Sequence, residues 1–172
     1  MENEITPTRK KWYKWRFIGL AIIALAIFVK FFVMKDSEDE EALAPVVLID
    51  LSKVAFRSEK EVEAVLGKGN LESYWQDAKA GCDKCPKMIY REGKVEIIYI
   101  NEIADRITIN NLSEFPFKNN IVLGSLNLKR DIEPTFENDD VMRWDNYEKY
   151  TEIAAFAKKD KLDYILIKSK SK

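Results

Sequence analysis

The stretch KMIYREGKVEIIYINEIADRITIN, residues 87 to 110, decides the fold class of this chain. Apolar and polar residues alternate along it, and the alternation is interrupted at Gly93 and around residues 101 to 103. Because successive side chains of a strand point to opposite faces, the stretch predicts three consecutive antiparallel β-strands. The middle strand, KVEIIYIN, is apolar on most of both faces, which predicts a central position in the sheet.

A short helix is predicted upstream of these strands. Residues 58 to 61, SEKE, have the sequence of a capping box, in which a serine and a glutamate satisfy each other's backbone N–H groups. The apolar residues that follow at helical spacing are Val62, Val65 and Leu66. Gly67 with Gly69 supplies the stop, and residues 46 to 51 are predicted to form a strand or a packed lead-in segment.

The second half of the chain repeats this plan. A short helical or loop segment near residues 118 to 124 precedes the segments VMRWDNY, YTEIAAFAK and LDYILIK. The local matches are Glu96-Ile97 with Glu152-Ile153, and Asp105-x-Ile107-x-Ile109 with Asp163-x-Ile165-x-Ile167. They predict two tandem helix-plus-three-strand units, residues 55 to 112 and 113 to 168. Chance is the alternative, because many strands alternate in this way.

An apolar segment near the start predicts a transmembrane helix. Residues 17 to 34, FIGLAIIALAIFVKFFVM, contain one charged residue, Lys30. As a helix the segment would rise roughly 27 Å, which nearly matches the hydrocarbon thickness of a bilayer. Lys30 lies one turn from the outer end, where its ammonium can reach the headgroups.

The charges around this segment predict its orientation. Residues 1 to 16 contain the basic positions Arg9, Lys10, Lys11, Lys14 and Arg16, whereas residues 35 to 45 are acidic. Since basic flanks stay in the cytoplasm, we expect a single-pass protein of the cell membrane with a cytoplasmic tail. Residues 35 to 45 are then a solvated linker, and residues 46 to 172 form an extracytoplasmic domain.

A cleaved signal peptide is the alternative to this signal-anchor. Ala42-Leu43-Ala44 matches the small-residue cleavage pattern. The match lies far beyond the apolar segment, across five carboxylates, and Pro45 would follow the cut. The lipid bilayer is therefore the first expected partner of the chain.

The amino-acid composition excludes several classes of catalytic chemistry. The chain has no histidine, which excludes Ser-His and Cys-His nucleophiles and the commonest transition-metal ligand. Carboxylates are plentiful, but no pair is recognisably placed for acid-base catalysis. The sequence thus predicts no catalytic residues, no metal site and no cofactor. Nucleic acid is not an expected partner either, because the outer domain lacks a basic, aromatic-rich groove.

Cys82-Asp-Lys-Cys85-Pro86 is the one constellation with reactive side chains at a meaningful spacing. A redox pair would need the first cysteine at a helix N-terminus, whereas Pro86 and the strand that follows predict a loop. A structural zinc would need four ligands, and the chain offers two cysteines. The preferred interpretation is a local disulfide, or a thiol pair able to form one, in an oxidising compartment.

Aromatic side chains are a second group of candidate functional residues. Tyr74 and Trp75 are predicted to lie in the loop between helix and sheet, where exposed aromatics could mark a binding surface. Large aromatics more often fill cores, and the core is the expected place for Trp144.

The segments from Ser58 to Gly67, YREGKVEIIYINEIADRITIN, MRWDNYEKYTEIAAFAK and LDYILIK together resemble uncharacterised membrane-anchored or secreted domains of Gram-positive bacteria. Those domains look like distant relatives of the β-lactamase-inhibitor-protein-like and small outer-membrane lipoprotein folds. The resemblance covers roughly residues 55 to 168 and rests on hydrophobic patterning and element order. It implies a helix-plus-strands unit used twice, with a sheet face available for proteins or envelope components, and it implies no reaction.

The expectation from sequence is thus a membrane-anchored, extracytoplasmic α+β domain that acts as a non-catalytic binding or assembly module. An envelope protein is its expected partner. The first alternative is a thiol-disulfide redox protein that works through Cys82 and Cys85. A second alternative is a sensor whose cytoplasmic residues before Phe17 contact a partner.

Overall fold

The computed structural model describes residues 46 to 169. The predicted cytoplasmic tail, transmembrane helix and acidic linker lie outside the described residues, and so do residues 170 to 172. Between residues 46 and 169, no helix is both long and apolar enough to cross a bilayer. The anchor at residues 17 to 34 therefore stays a prediction.

Within the described residues, two α-helices and eight β-strands follow one another along the chain. Helix α1 is Glu59–Leu66 and helix α2 is Asn119–Ser125. The strands are β1 Asn70–Asp77, β2 Cys82–Tyr90, β3 Val95–Ile100, β4 Ile103–Ile109, β5 Phe136–Glu137, β6 Val141–Asp145, β7 Tyr150–Lys158 and β8 Lys161–Ser169. All eight form one antiparallel sheet in the order β1-β2-β3-β4-β8-β7-β6-β5. The predicted α+β class with a small antiparallel sheet is confirmed.

Helix α1 begins and ends where the sequence predicted. The backbone N–H of Ser58 donates to the Glu61 carboxylate at 2.9 Å, which forms the capping box and holds the pKa of Glu61 below its usual value. Gly67 ends the helix with a φ of +89°, which a residue with a Cβ rarely adopts. Val62 is buried, whereas Val65 is 37% exposed, so the apolar face is narrower than expected.

Each half of the sheet contains four strands, so the predicted helix-plus-three-strand unit is wrong by one strand. The additional strands are β1 and β5, which are the two edges of the sheet. Most residues of β1 are exposed, and both residues of β5 are exposed. A strand without a buried face has no alternation of apolar and polar residues, and this explains why the sequence pattern missed both.

The hairpins β3–β4 and β7–β8 are built alike. Each turns through two residues with positive φ, Asn101 and Glu102 in the first and Lys159 and Asp160 in the second. Each pairing then shifts register at a β-bulge, between Ile98 and Tyr99 and between Phe156 and Ala157. The unpaired residue opposite the shift is an aspartate in both hairpins, Asp105 and Asp163.

This shared geometry fixes which residues of the two halves correspond. Ile97 pairs with Ile107, and Ala155 pairs with Ile165, so the sequence match from Asp105 to Asp163 follows the structural alignment. The other match, Glu96-Ile97 with Glu152-Ile153, is wrong by two residues, because Ile97 occupies the place of Ala155. A common origin of the two halves stays a prediction.

The core lies on one face of the sheet, where both helices pack. Val62 and Leu66 of α1 and Val122 of α2 join the inward residues of β3, β4, β7 and β8 in a single apolar cluster. Trp144 is 1% exposed and its indole N–H donates to the carbonyl oxygen of Ile132 at 3.0 Å, so its predicted core position is confirmed. Residues 46 to 50 form no strand, and the N–H groups of Leu48 and Ile49 donate to Ser125 of α2.

Substituting Gly69 tests this packing. A Cβ at Gly69 would lie 2.6 Å from a ring carbon of Tyr90, which is 1% exposed and hydrogen-bonded to the hydroxyl of Tyr99. Because that ring has little room to move, we expect Gly69→Ala to lower the free energy of unfolding by about 1–3 kcal/mol. Urea denaturation measures the change. The neighbouring exposed residue provides the control, Lys68→Ala, and an equal loss in both variants would contradict the close contact.

Candidate functional site

Cys82 and Cys85 are joined by a disulfide, with their Cα atoms 5.8 Å apart. Both belong to strand β2, so their predicted location in a loop is wrong. Pro86 lies in the part of β2 that pairs with β1 alone, because the pairing of β2 with β3 begins at Lys87. Cys82 is 2% exposed and Cys85 is 7% exposed, so both are buried, and neither lies at a helix N-terminus.

The disulfide belongs to a small apolar cluster separate from the main core. Ile100 is buried with it, and Trp75, Ala80 and Ile98 pack against the group. The Sγ atom of Cys82 lies 3.2 Å from the carbonyl oxygen of Trp75 in the neighbouring strand. The pairing of β1 with β2 changes register between Trp75 and Asp77, so the cluster holds the sheet together where the ladder is irregular.

A cavity of about 560 Å³ lies beside the disulfide. It is bounded by the start of α1, the start of β2 and the turn between β3 and β4, and its lining carries Glu59, Lys60, Asp83, Lys84 and Glu102. Because these charges are of both signs, the lining does not select an ion of one sign. Among residues 46 to 169, no group of three potential ligands is placed to hold a metal.

The predicted aromatic pair does not form one binding surface. Tyr74 and Trp75 are neighbours on strand β1, whereas the sequence placed them in a loop. Their side chains therefore point to opposite faces. Tyr74 is 51% exposed, with the ammonium of Lys84 4.4 Å from its ring centre. Trp75 is half-buried against the disulfide cluster.

A further candidate surface is the face of the sheet opposite the helices, which we call the open face. Its half-buried residues, from β2 to β6, are Lys87, Ile89, Glu96, Ile98, Arg106, Thr108, Leu166, Lys168, Glu152, Phe156, Tyr164, Val141 and Arg143. Both helices pack on the other side, with the main core. Sequence reasoning did not select these residues, although the period of two that predicted the strands also assigns them to one face.

Charged residues of the open face are paired with one another. In the first half, the ammonium of Lys87 lies 2.7 Å from the Glu72 carboxylate and 2.8 Å from that of Glu96. These hydrogen bonds, first to Glu72 and then to Glu96, raise the pKa of Lys87 above its usual value. In the second half, Lys168 and Glu152 lie 2.7 Å apart. The face thus carries little unpaired charge in either half.

Aromatic and aliphatic side chains lie between these ion pairs. The rings of Phe156 and Tyr164 are stacked, with centroids 4.4 Å apart and planes inclined by 13°. Thr108 and Leu166 face each other across the pairing of β4 with β8, at the middle of the sheet. Ile98 lies at the first-half end, beside the disulfide cluster. Apolar side chains therefore lie on the open face in both halves, and Arg106 and Lys168 face each other between them.

Asp105 is the one buried carboxylate among the described residues, and it lies at the bulge of β4. Burial raises the pKa of Asp105 above its usual value, while the guanidinium of Arg106, which pairs with it, acts in the opposite direction. The sequence showed that Asp163 repeats this aspartate in the second half, but it did not show that Asp105 is buried. The bulge gives Asp105 a structural role in bending the strand.

Removing the disulfide tests its structural role. Closing so short a loop should stabilise the fold by about 2 kcal/mol, so Cys82→Ala/Cys85→Ala should lower the free energy of unfolding by that amount. Urea denaturation provides the measurement, with the wild-type protein under reducing conditions as a parallel sample. An unchanged free energy of unfolding would contradict a structural role and favour a chemical one.

No family model, no curated protein and no solved structure matches this chain. The resemblance to anchored bacterial domains, drawn from the residues themselves, stays a prediction.

Proposed function

We propose that this protein is a membrane-anchored, extracytoplasmic binding module that holds another protein against the open face of its sheet and performs no catalysis. The observation that carries the proposal is the composition of that face. Half-buried aromatic and aliphatic side chains lie on it together with ion pairs, and no described helix covers it.

The chemistry of the open face favours a protein as the partner. Its charges are paired internally, so it offers no basic field for nucleic acid and no concentrated charge for a polyion. Protein interfaces combine apolar, aromatic-rich areas with polar surroundings, and the stacked Phe156 and Tyr164 are aromatic side chains of the kind that such interfaces bury. An envelope protein presenting an apolar loop or surface would fit this face.

The proposed location rests on the sequence before the described domain. The apolar residues 17 to 34, with basic residues before them and acidic residues after them, support a helix that crosses the membrane once. The disulfide in the domain agrees with an oxidising compartment outside the cytoplasm. Under this proposal the domain reaches its partner at the outer surface of the membrane.

A thiol-disulfide redox protein is the second candidate. The cavity lined by both Cys82 and Cys85 favours it, because a substrate thiol needs room to approach a sulfur atom. The burial of both cysteines in a strand supports the structural role instead. Rapid reaction of the native protein with small thiols would favour the redox candidate, and resistance to them would favour the binding module.

A cysteine introduced on the open face tests both the location and the binding. Thr108→Cys lies in the middle strand of the face, and Ala64→Cys lies on the exposed side of α1. In intact cells, a membrane-impermeant maleimide should label Ala64→Cys from outside. It should label Thr108→Cys more slowly, because the partner covers the open face.

The same two variants then identify the contact. A cysteine-linked photo-crosslinker should join Thr108→Cys to one discrete protein, and that product should disappear in a Thr108→Cys/Tyr164→Ala variant, which breaks the aromatic stack. The Ala64→Cys control should give no such product. Equal labelling and equal crosslinking at both positions would contradict a partner on the open face. Failure of Ala64→Cys to react in intact cells, with reaction restored by permeabilisation, would contradict the location.

A further inference from the structure

The two edges of the sheet differ in how well they are protected from pairing with another strand. Strand β5 has two residues and follows Pro134, so it has very few free backbone N–H and C=O groups with which another strand could pair. Strand β1 has eight residues, and within the described part of the chain no strand pairs with its outer side. A strand of this length at an edge is a template for one more strand.

Strand β1 shifts register twice against β2 and carries Glu72, but it lacks the lysines and prolines that most commonly block an edge. Between Asn70 and Asp77 there is no lysine, arginine or proline. Leu71 and Tyr74 are 50% and 51% exposed. The register shift after Leu71 puts both side chains on one face, since their partners Met88 and Pro86 are two residues apart in β2. An apolar pair therefore lies at the free edge.

The charges at the two ends of this strand indicate its partner. Lys68 precedes β1 and Asp77 ends it, and neither side chain is in a salt bridge with another described residue. One oxygen of the Asp77 carboxylate accepts hydrogen bonds from the backbone N–H groups of Lys79 and Ala80. If a second copy of the strand pairs in the antiparallel direction, each Lys68 approaches the other copy's Asp77. A parallel copy would place like charges together. The charges at the two ends of the strand are thus complementary in the antiparallel direction only, while Glu72 between them is paired with Lys87.

We infer that two copies of this protein associate through their β1 strands, paired antiparallel about a twofold axis perpendicular to the sheet. The pairing satisfies the free backbone groups of both edges and covers Leu71 and Tyr74 against the same residues of the other copy. Such an axis leaves the open faces of both copies on one side. The dimer therefore presents the open face twice, as one continuous surface.

Crosslinking in native membranes tests this association in the full-length protein. Ser73→Cys lies near the middle of β1, and a short bismaleimide should convert it to a covalent dimer on a denaturing gel. Ala64→Cys, on helix α1, should give little dimer. Adding Leu71→Lys should reduce the Ser73→Cys yield by about tenfold, because a lysine on an edge strand opposes pairing. Phe136→Lys, at the β5 edge, is the matched control and should leave the yield unchanged.

A charge test examines the direction of pairing. Lys68→Glu would bring like charges together at both ends and should reduce the yield, whereas Lys68→Arg should preserve it. Absence of the covalent dimer in the Ser73→Cys protein would overturn the proposal. So would a yield that survives Leu71→Lys, or one that is equal in Lys68→Glu and Lys68→Arg. Binding of another protein to the open face is measured separately and does not depend on this result.

Discussion

The ladder between β4 and β8 is the interaction on which the rest of the described fold depends. Its pairs are Arg106 with Lys168, Ile107 with Ile167, Thr108 with Leu166 and Ile109 with Ile165. On the helix side, the isoleucines of both strands are at most 3% exposed and join the two halves of the core. Each half alone would be a four-stranded sheet with one short helix, which buries too little apolar surface to be stable.

The same ladder creates the open face. Because side chains alternate along a strand, each isoleucine that points into the core leaves a neighbour, such as Thr108 or Leu166, on the opposite side. Joining the halves antiparallel therefore builds one core and one continuous surface together. The disulfide lies toward the first half's end of this arrangement, and each half has its own bulge beside its β-hairpin turn.

The parts of the fold that could be predicted from sequence are those with a buried face. Strands β2 to β4 and β6 to β8, and helix α1 with its capping box, have a periodic apolar pattern that their burial imposes. The edge strand β1 has no such pattern, and so Tyr74 and Trp75 were placed in a loop. The cysteines begin β2 and were placed in a loop because Pro86 follows them. The match of Glu96 with Glu152 failed for another reason: Glu96 lies nine residues before Asp105, whereas Glu152 lies eleven residues before Asp163. Because both hairpins have the same turn and the same bulge, only one of the two sequence matches can follow the structure.

Native-state hydrogen exchange tests the central role of the ladder most directly. If β4 and β8 join two halves that are not stable alone, their amides should exchange only through global unfolding, with a free energy equal to that from urea denaturation. Amides of β1 and β5 should exchange at lower free energies. The account would be contradicted if the amides facing across β4 and β8 exchanged through a local opening while one half kept full protection.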